Sequence, residues 1–369
     1  MGQRKQINKR LKRRVMLRLS FVILLGLLVI GGIAAAILLL TRQGTPSAQL
    51  TALPFQAQTG YTYTGSGFLY REGDGIAYYD LADEGKNYTA SVTASDMQLV
   101  GSPTAHVIYN SLALKIVGAE FPNEFPGQLI SVKCGSSHVA ALRADAAGVE
   151  GIQVFDLAGQ QKDQLAFDTQ YIVDYGFYTA KSEYLWVHTL DVQSGAPIST
   201  IHLYNMTSGS TSGLLQVQNQ LIERVCFSNS SIFLVGTNQI IRYSLENNRE
   251  SYQEMVYGWQ MIDYATTPAF LLSPRSSETL GTLKLLTCAE ADLSGASETI
   301  LQAPVGALGA FLVSGKLAVV TADTLYYYDY NGKELSQYDL GQTISSASKL
   351  DSSTLLLQSG DALFVMNTK

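Results

Sequence analysis

The side chains able to do chemistry in this 369-residue chain are few and scattered. Cys134, Cys226 and Cys288 stand singly in apolar settings, reading SVKCG, ERVCF and LLTCAE. No C-x-x-C pair offers a redox couple or half a zinc site, so these thiols read as buried and inert. One disulfide among the three is the alternative, and spacing does not fix its pairing. His106, His138, His188 and His202 lie far apart, with no H-x-x-x-H or H-E-x-x-H, and lone imidazoles on strand-like segments read as packing residues. The nearest thing to a hydrolase elbow, Gly209-Ser210-Thr211-Ser212-Gly213, places Thr211 at the nucleophile position and reads as a polar turn. Gly315-Lys316 is followed by Leu317, so the hydroxyl of a phosphate loop is missing. The turn from Asp80 to Gly85 carries Asp80, Asp83 and Glu84, without the alternating oxygen ligands of a calcium loop. Asn87, Asn205 and Asn229 head glycosylation sequons, which bear only on a chain secreted through a glycosylating compartment. The sequence thus nominates no catalytic, cofactor-binding or metal-ligating residue, and what it does specify is architecture.

Charge divides the chain sharply. The net charge of -6 hides eight cations and no acid in residues 1–18. All 31 Asp and Glu lie beyond Arg42. A basic stub on an acidic body argues against nucleic acid as a partner and for a membrane topology. Residues 19–41, LSFVILLGLLVIGGIAAAILLLT, carry no charge. As a helix they would span roughly 34 Å, enough for a hydrocarbon core of about 30 Å. The flanking cations place the N-terminus in the cytoplasm and the remainder outside it, and they suit anionic lipid head groups. A cleaved signal peptide is the competing reading. Its apolar core would be shorter, and the following Pro46-Ser47-Ala48 puts proline at the -3 position. The expected organisation is a cytoplasmic tail over 1–18, a transmembrane helix over 19–41, a tether with a candidate closing strand over 42–54, and an extracytoplasmic domain over 55–369.

That domain reads as all-β. Short runs of Val, Ile, Leu, Tyr and Phe are broken every 8 to 12 residues by Gly, Asn, Asp and Ser. A strand ending in a large residue and a polar turn recurs at Tyr79-Asp80, Phe155-Asp156, Tyr204-Asn205, Tyr243-Ser244 and Tyr328-Asp329. Weaker copies fall at Ile116, Leu286 and Val365. The spacings are 37, 39, 49, 39, 43, 42 and 37 residues, the length of a four-stranded propeller blade. Eight blades are expected, with seven as the alternative given the 49-residue gap. The last repeat stops after three strands, so the segment from Gln49 to Gln56 is expected to supply its fourth and close the ring.

On this repeated [YF]-[DN]-x-x-G pattern the chain resembles quinoprotein-like and WD-like bacterial propellers. In particular it is similar to a family of single-pass membrane proteins of Gram-positive Firmicutes with a propeller ectodomain. It lacks Trp-Asp pairs, aspartate boxes and the tryptophan docking motifs of quinone-cofactor propellers, having only Trp186 and Trp259. The resemblance implies a scaffold with no cofactor and no activity to carry over. The expected function is non-enzymatic binding of an envelope protein. The alternatives are a receptor for a sugar or peptidoglycan fragment and, less favoured, a quinoprotein-like enzyme.

Overall fold

Several middle strands of the repeat, such as Ser231–Gly236 (SIFLVG) and Ala269–Pro274 (AFLLSP), are apolar almost without alternation. The computed structural model explains why. It describes residues 46–92, 96–119, 127–167, 169–179, 182–192, 195–288 and 296–369. Within Ala48–Lys369, a compact unit, the strands form eight separate antiparallel sheets. Each interface between neighbouring sheets holds its own apolar core. Ile232 and Leu234 pack toward the preceding sheet, while Phe233 and Val235 pack toward the following one. A strand with both faces covered has no polar face to alternate with.

We number the sheets as blades in chain order: blade 1 (61–91), 2 (98–116), 3 (128–166), 4 (171–218), 5 (222–255), 6 (259–302), 7 (309–339) and 8 (346–367). Strands A to D run from the innermost outward, since A strands of successive blades approach one another. Blade 2 has three strands among the described residues. Blade 8 takes its outermost strand from the start of the domain, where Thr51–Gln56 pairs antiparallel with Ala362–Asn367. Leu53 and Phe55 of that strand enter the core between blades 8 and 1. Phe55 there stacks on Tyr70, with ring centroids 4.5 Å apart.

All eight repeat positions fall on C strands, the weak copies Ile116 and Leu286 included. Phe155, Tyr243 and Tyr328 sit in inter-blade cores, as the large residue of the repeat should. The polar residue after them caps the C–D turn. Asp80 accepts from the amides of Ala82 and Asp83 at 3.0 and 2.9 Å. Asn205 accepts from Thr207 and Ser208, and Asp329 from Asn331 and Lys333. These side chains do the work of a backbone turn. Because strands alternate in direction, A–B and C–D turns gather at one rim, hereafter the upper. The B–C turns and the D-to-A crossovers gather at the other, the lower.

The basic tail (1–18), the membrane-helix segment (19–41) and the first residues of the tether lie outside the described residues. Among the described residues no helix is long and apolar enough to cross a membrane.

Candidate functional site

The upper rim is stitched together by polar contacts between blades. The most concentrated lies between blades 3 and 4. Glu183 begins strand B of blade 4 and is 5% exposed. Its carboxylate faces the A–B turn of blade 3, accepting from both the amide and hydroxyl of Ser136 and of Ser137. It also takes a bond from His138 Nδ1 at 2.6 Å. Gly135 is obligatory beside it, because a Cβ there would stand 2.2 Å from Glu183 Oε1. Burial alone would raise the pKa of this carboxyl, but the donors from His138, Ser137 and Ser136 outweigh it and hold the pKa at about 2.

Further contacts continue around the ring. Tyr178 of blade 4 donates to the Ser228 carbonyl of blade 5 at 2.6 Å, and Tyr264 of blade 6 to Phe227 O at 3.0 Å. Lys349 of blade 8 reaches Asp263 of blade 6 at 2.9 Å and the Tyr264 carbonyl at 2.8 Å. Asp263 also accepts from the amide of Leu312 in blade 7, so one ion pair ties three blades. Tyr63 of blade 1 donates to Asp351 of blade 8 at 2.7 Å, across the closure.

Between blades 4 and 5 this rim opens into a cleft of about 550 Å³. Its apolar wall is Tyr178 stacked on Phe227, with centroids 4.3 Å apart and planes 13° from parallel, beside Tyr184. Asn229, Glu246 and Asn248 supply the polar side. An aromatic wall facing amides and a carboxylate suits a planar or sugar-like polar ligand.

The residues that sequence reading weighed for chemistry are dispersed among different blades, each with a packing role. Cys226 lies in the core between blades 5 and 6, with Cys288 packed against it, and Cys134 borders the core between blades 2 and 3. All three are free thiols. Burial pushes Cys134 and Cys226 up to about 12 and Cys288 to about 11. His106 packs on Tyr78 and bonds to the Tyr88 hydroxyl at 2.6 Å, and His202 bonds to Thr189 at 3.0 Å. His188 is buried in strand B of blade 4, which lowers its pKa to about 4. Gly209 takes a positive φ of 63° in the C–D turn of blade 4, and Thr211 lies in the edge strand that follows. Gly213 leaves room for the Asn248 side chain of blade 5, which would otherwise stand 2.3 Å from a Cβ. Ser314 and Gly315, at φ 49° and 72°, form the A–B turn of blade 7. The Asp80–Gly85 segment is a capped turn with the Asp80 and Asp83 carboxylates engaged by backbone amides. Among the described residues no group of three or more His, Cys, Asp or Glu side chains is placed to hold a metal ion.

Sequence reasoning missed Glu183 and Asp263. Glu183 lies 45 residues from His138, and Asp263 lies 86 from Lys349, so no local spacing announces either pair.

This geometry is that of an eight-bladed β-propeller, and solved propellers share it. The chain is similar to BamB from Moraxella catarrhalis, with 12% identity, a TM-score of 0.53, and coverage of 86% of this chain and 100% of that one. It is also similar to the WD40 domain of SCAP from fission yeast (9% identity, TM-score 0.55, 87% and 94% covered). The Dos1 propeller aligns with a TM-score of 0.56 at 9% identity over 86% of this chain and 95% of that one. At such identities the likeness concerns the fold alone. No protein-family model matches the sequence, and no curated protein sequence matches it.

Proposed function

We propose that this chain is a non-enzymatic protein-binding scaffold, carried on the outer side of a membrane by a helix over residues 19–41. One observation carries the binding reading. Side chains that a free surface would hide stand largely in solvent at the lower rim: Leu112 at 69%, Met255 at 64%, Tyr257 at 78% and Val305 fully exposed. Apolar groups gathered at one end of a rigid ring favour a covering partner. A propeller supplies many short loops on a frame that does not move, which suits recognition of a protein surface. The dispersal of the histidines and the high pKa values of the thiols supports binding over catalysis. The charge-free segment over 19–41 and the cations before it support the membrane placement and the extracytoplasmic location.

The test is isolation of the full chain from its own membranes after mild chemical crosslinking. A protein recovered in stoichiometric amount is the expected result. Repeated recovery of the chain alone would count against the scaffold.

The cleft between blades 4 and 5 favours a second reading, a receptor for a sugar or a peptidoglycan fragment. Saturating ligand should then stabilise the full chain by RT ln(1 + [L]/Kd), about 2.7 kcal/mol at a hundredfold excess over Kd, and so raise its melting temperature. No shift across a panel of envelope sugars would remove that reading.

A further inference from the structure

The exposed apolar residues are not spread over the ring. Following the strand directions, Leu112, Val149, Tyr171, Val192, Tyr257 and Val305 all stand on B–C turns, D-to-A crossovers or the strand ends that meet them. Those outside the lower rim lie on strands instead: Leu214, Ile300 and Leu335 on outer strands, Ile130 and Val173 on inner ones. Among the described residues, no turn of the upper rim carries an exposed large apolar side chain. Its A–B turns are rich in Ser, Thr and Gly, and the large apolar residues of its C–D turns, such as Leu81, Leu157, Met206 and Leu245, are at least partly buried.

Charge divides the same way. The described loops of the lower rim carry Asp74, Asp96, Asp145, Glu278, Asp323 and Asp361. Their one cation is Arg275, which Glu223 clasps through two bonds of 2.8 and 2.6 Å. The upper rim mixes its signs: Asp83, Glu84, Glu246, Asp329 and Asp351 stand with Lys86, Arg249 and Lys333. The lower rim is therefore both apolar and acidic. Three of its apolar residues converge, because Val149, Tyr171 and Val192 line one cleft of about 340 Å³ between blades 3 and 4. Glu150 lines that cleft too, and accepts from the amide of Ile172 at 3.0 Å.

We infer that the lower rim is the docking surface, and that its occupant is a protein segment presenting apolar side chains flanked by Lys and Arg. This inference rests on the scaffold reading and names the surface and the partner chemistry. An apolar side chain enters the cleft beside Tyr171. Cations alongside it meet the acidic loops, where opposite potentials speed association and exclude acidic competitors.

The test is site-specific photocrosslinking of the full chain in its own membranes. A benzophenone side chain replaces Tyr171 or Tyr257 on the lower rim, and Thr207 or Asn247 on the upper. The expected result is capture of one protein from both lower positions, at a segment that contains Lys or Arg beside apolar residues. Glu278→Lys should cut the Tyr257 yield several-fold, and Glu84→Lys should leave it unchanged. Capture from the upper positions alone overturns the inference and leaves the scaffold standing. So does capture from Tyr171 and Tyr257 at an acidic or uncharged segment. Adducts with lipid, or with a second copy of this chain, overturn it as well. If neither rim captures any protein, the scaffold reading falls, and this inference with it.

Discussion

Replacing Glu183 with glutamine tests whether the polar seam between blades 3 and 4 holds the ring together. The carboxyl has an ordinary pKa of 4.5 and one of about 2 in the folded chain. A folded-state value below the unfolded one means stability that is complete above the unfolded pKa and lost as pH falls through the folded one. At pH 7 the difference corresponds to about 3 kcal/mol, an upper figure because the nearby turn is partly solvated. At pH 3 the same linkage leaves only about 1.4 kcal/mol. Glu183→Gln keeps the shape and removes the charge, and its amide cannot accept from all the donors of Ser136, Ser137 and His138. Urea denaturation of the full chain, followed by tyrosine fluorescence, should show the variant about 2–3 kcal/mol less stable at pH 7. The gap should narrow steadily between about pH 5 and pH 3. Equal midpoints at pH 7, or a gap as wide at pH 3 as at pH 7, would refute the reasoning.

Three further outcomes follow from other contacts. Asp263→Asn strips Lys349 of its partner at a site where both side chains are largely buried, and should cost about 2–3 kcal/mol in the same assay. An unchanged midpoint would mean that the inter-blade ion pair is idle. The three cysteines should resist maleimide in the folded chain at pH 8, since a thiol with a pKa of about 12 (Cys134, Cys226) is thiolate in only about one molecule in ten thousand there, and one of about 11 (Cys288) in about one in a thousand. Labelling as fast as in denaturant would contradict their burial. Phe55→Ala should cost about 3–4 kcal/mol and expose the first strand to protease, because Phe55 fills the core at the ring closure. Wild-type protease resistance would mean that this strand is not the closure.

Much of the fold was legible in the sequence because each blade repeats one local solution. A large residue closes strand C and a short polar side chain starts the turn, so Tyr79-Asp80 and Tyr328-Asp329 announce themselves 249 residues apart. Even Ile116 and Leu286, which lack the aromatic residue and the Asp or Asn of the clearer copies, keep the register because each still packs into an inter-blade core from strand C. The closing strand was legible because a three-stranded last blade leaves an edge that the apolar alternation at the start of the propeller domain, over Thr51–Gln56, can cover. The candidate sites were not. Glu183 meets His138, and Lys349 meets Asp263, only after blades distant in sequence are brought side by side. The separation of apolar and acidic loops from polar ones was also hidden, because consecutive turns alternate between rims. Tyr171 and Thr207 look equivalent in the sequence and stand at opposite ends of one blade.

The central claim is that the lower rim is covered in the cell, and oxidative footprinting measures that directly. Hydroxyl radicals react readily with methionine and tyrosine, so Met255, Tyr171 and Tyr257 report on their own exposure. They should be oxidised quickly in the purified full chain and several-fold more slowly in intact membranes, while Met206 and Tyr184 near the upper rim change little. Equal oxidation of the lower-rim residues in both preparations would contradict the account.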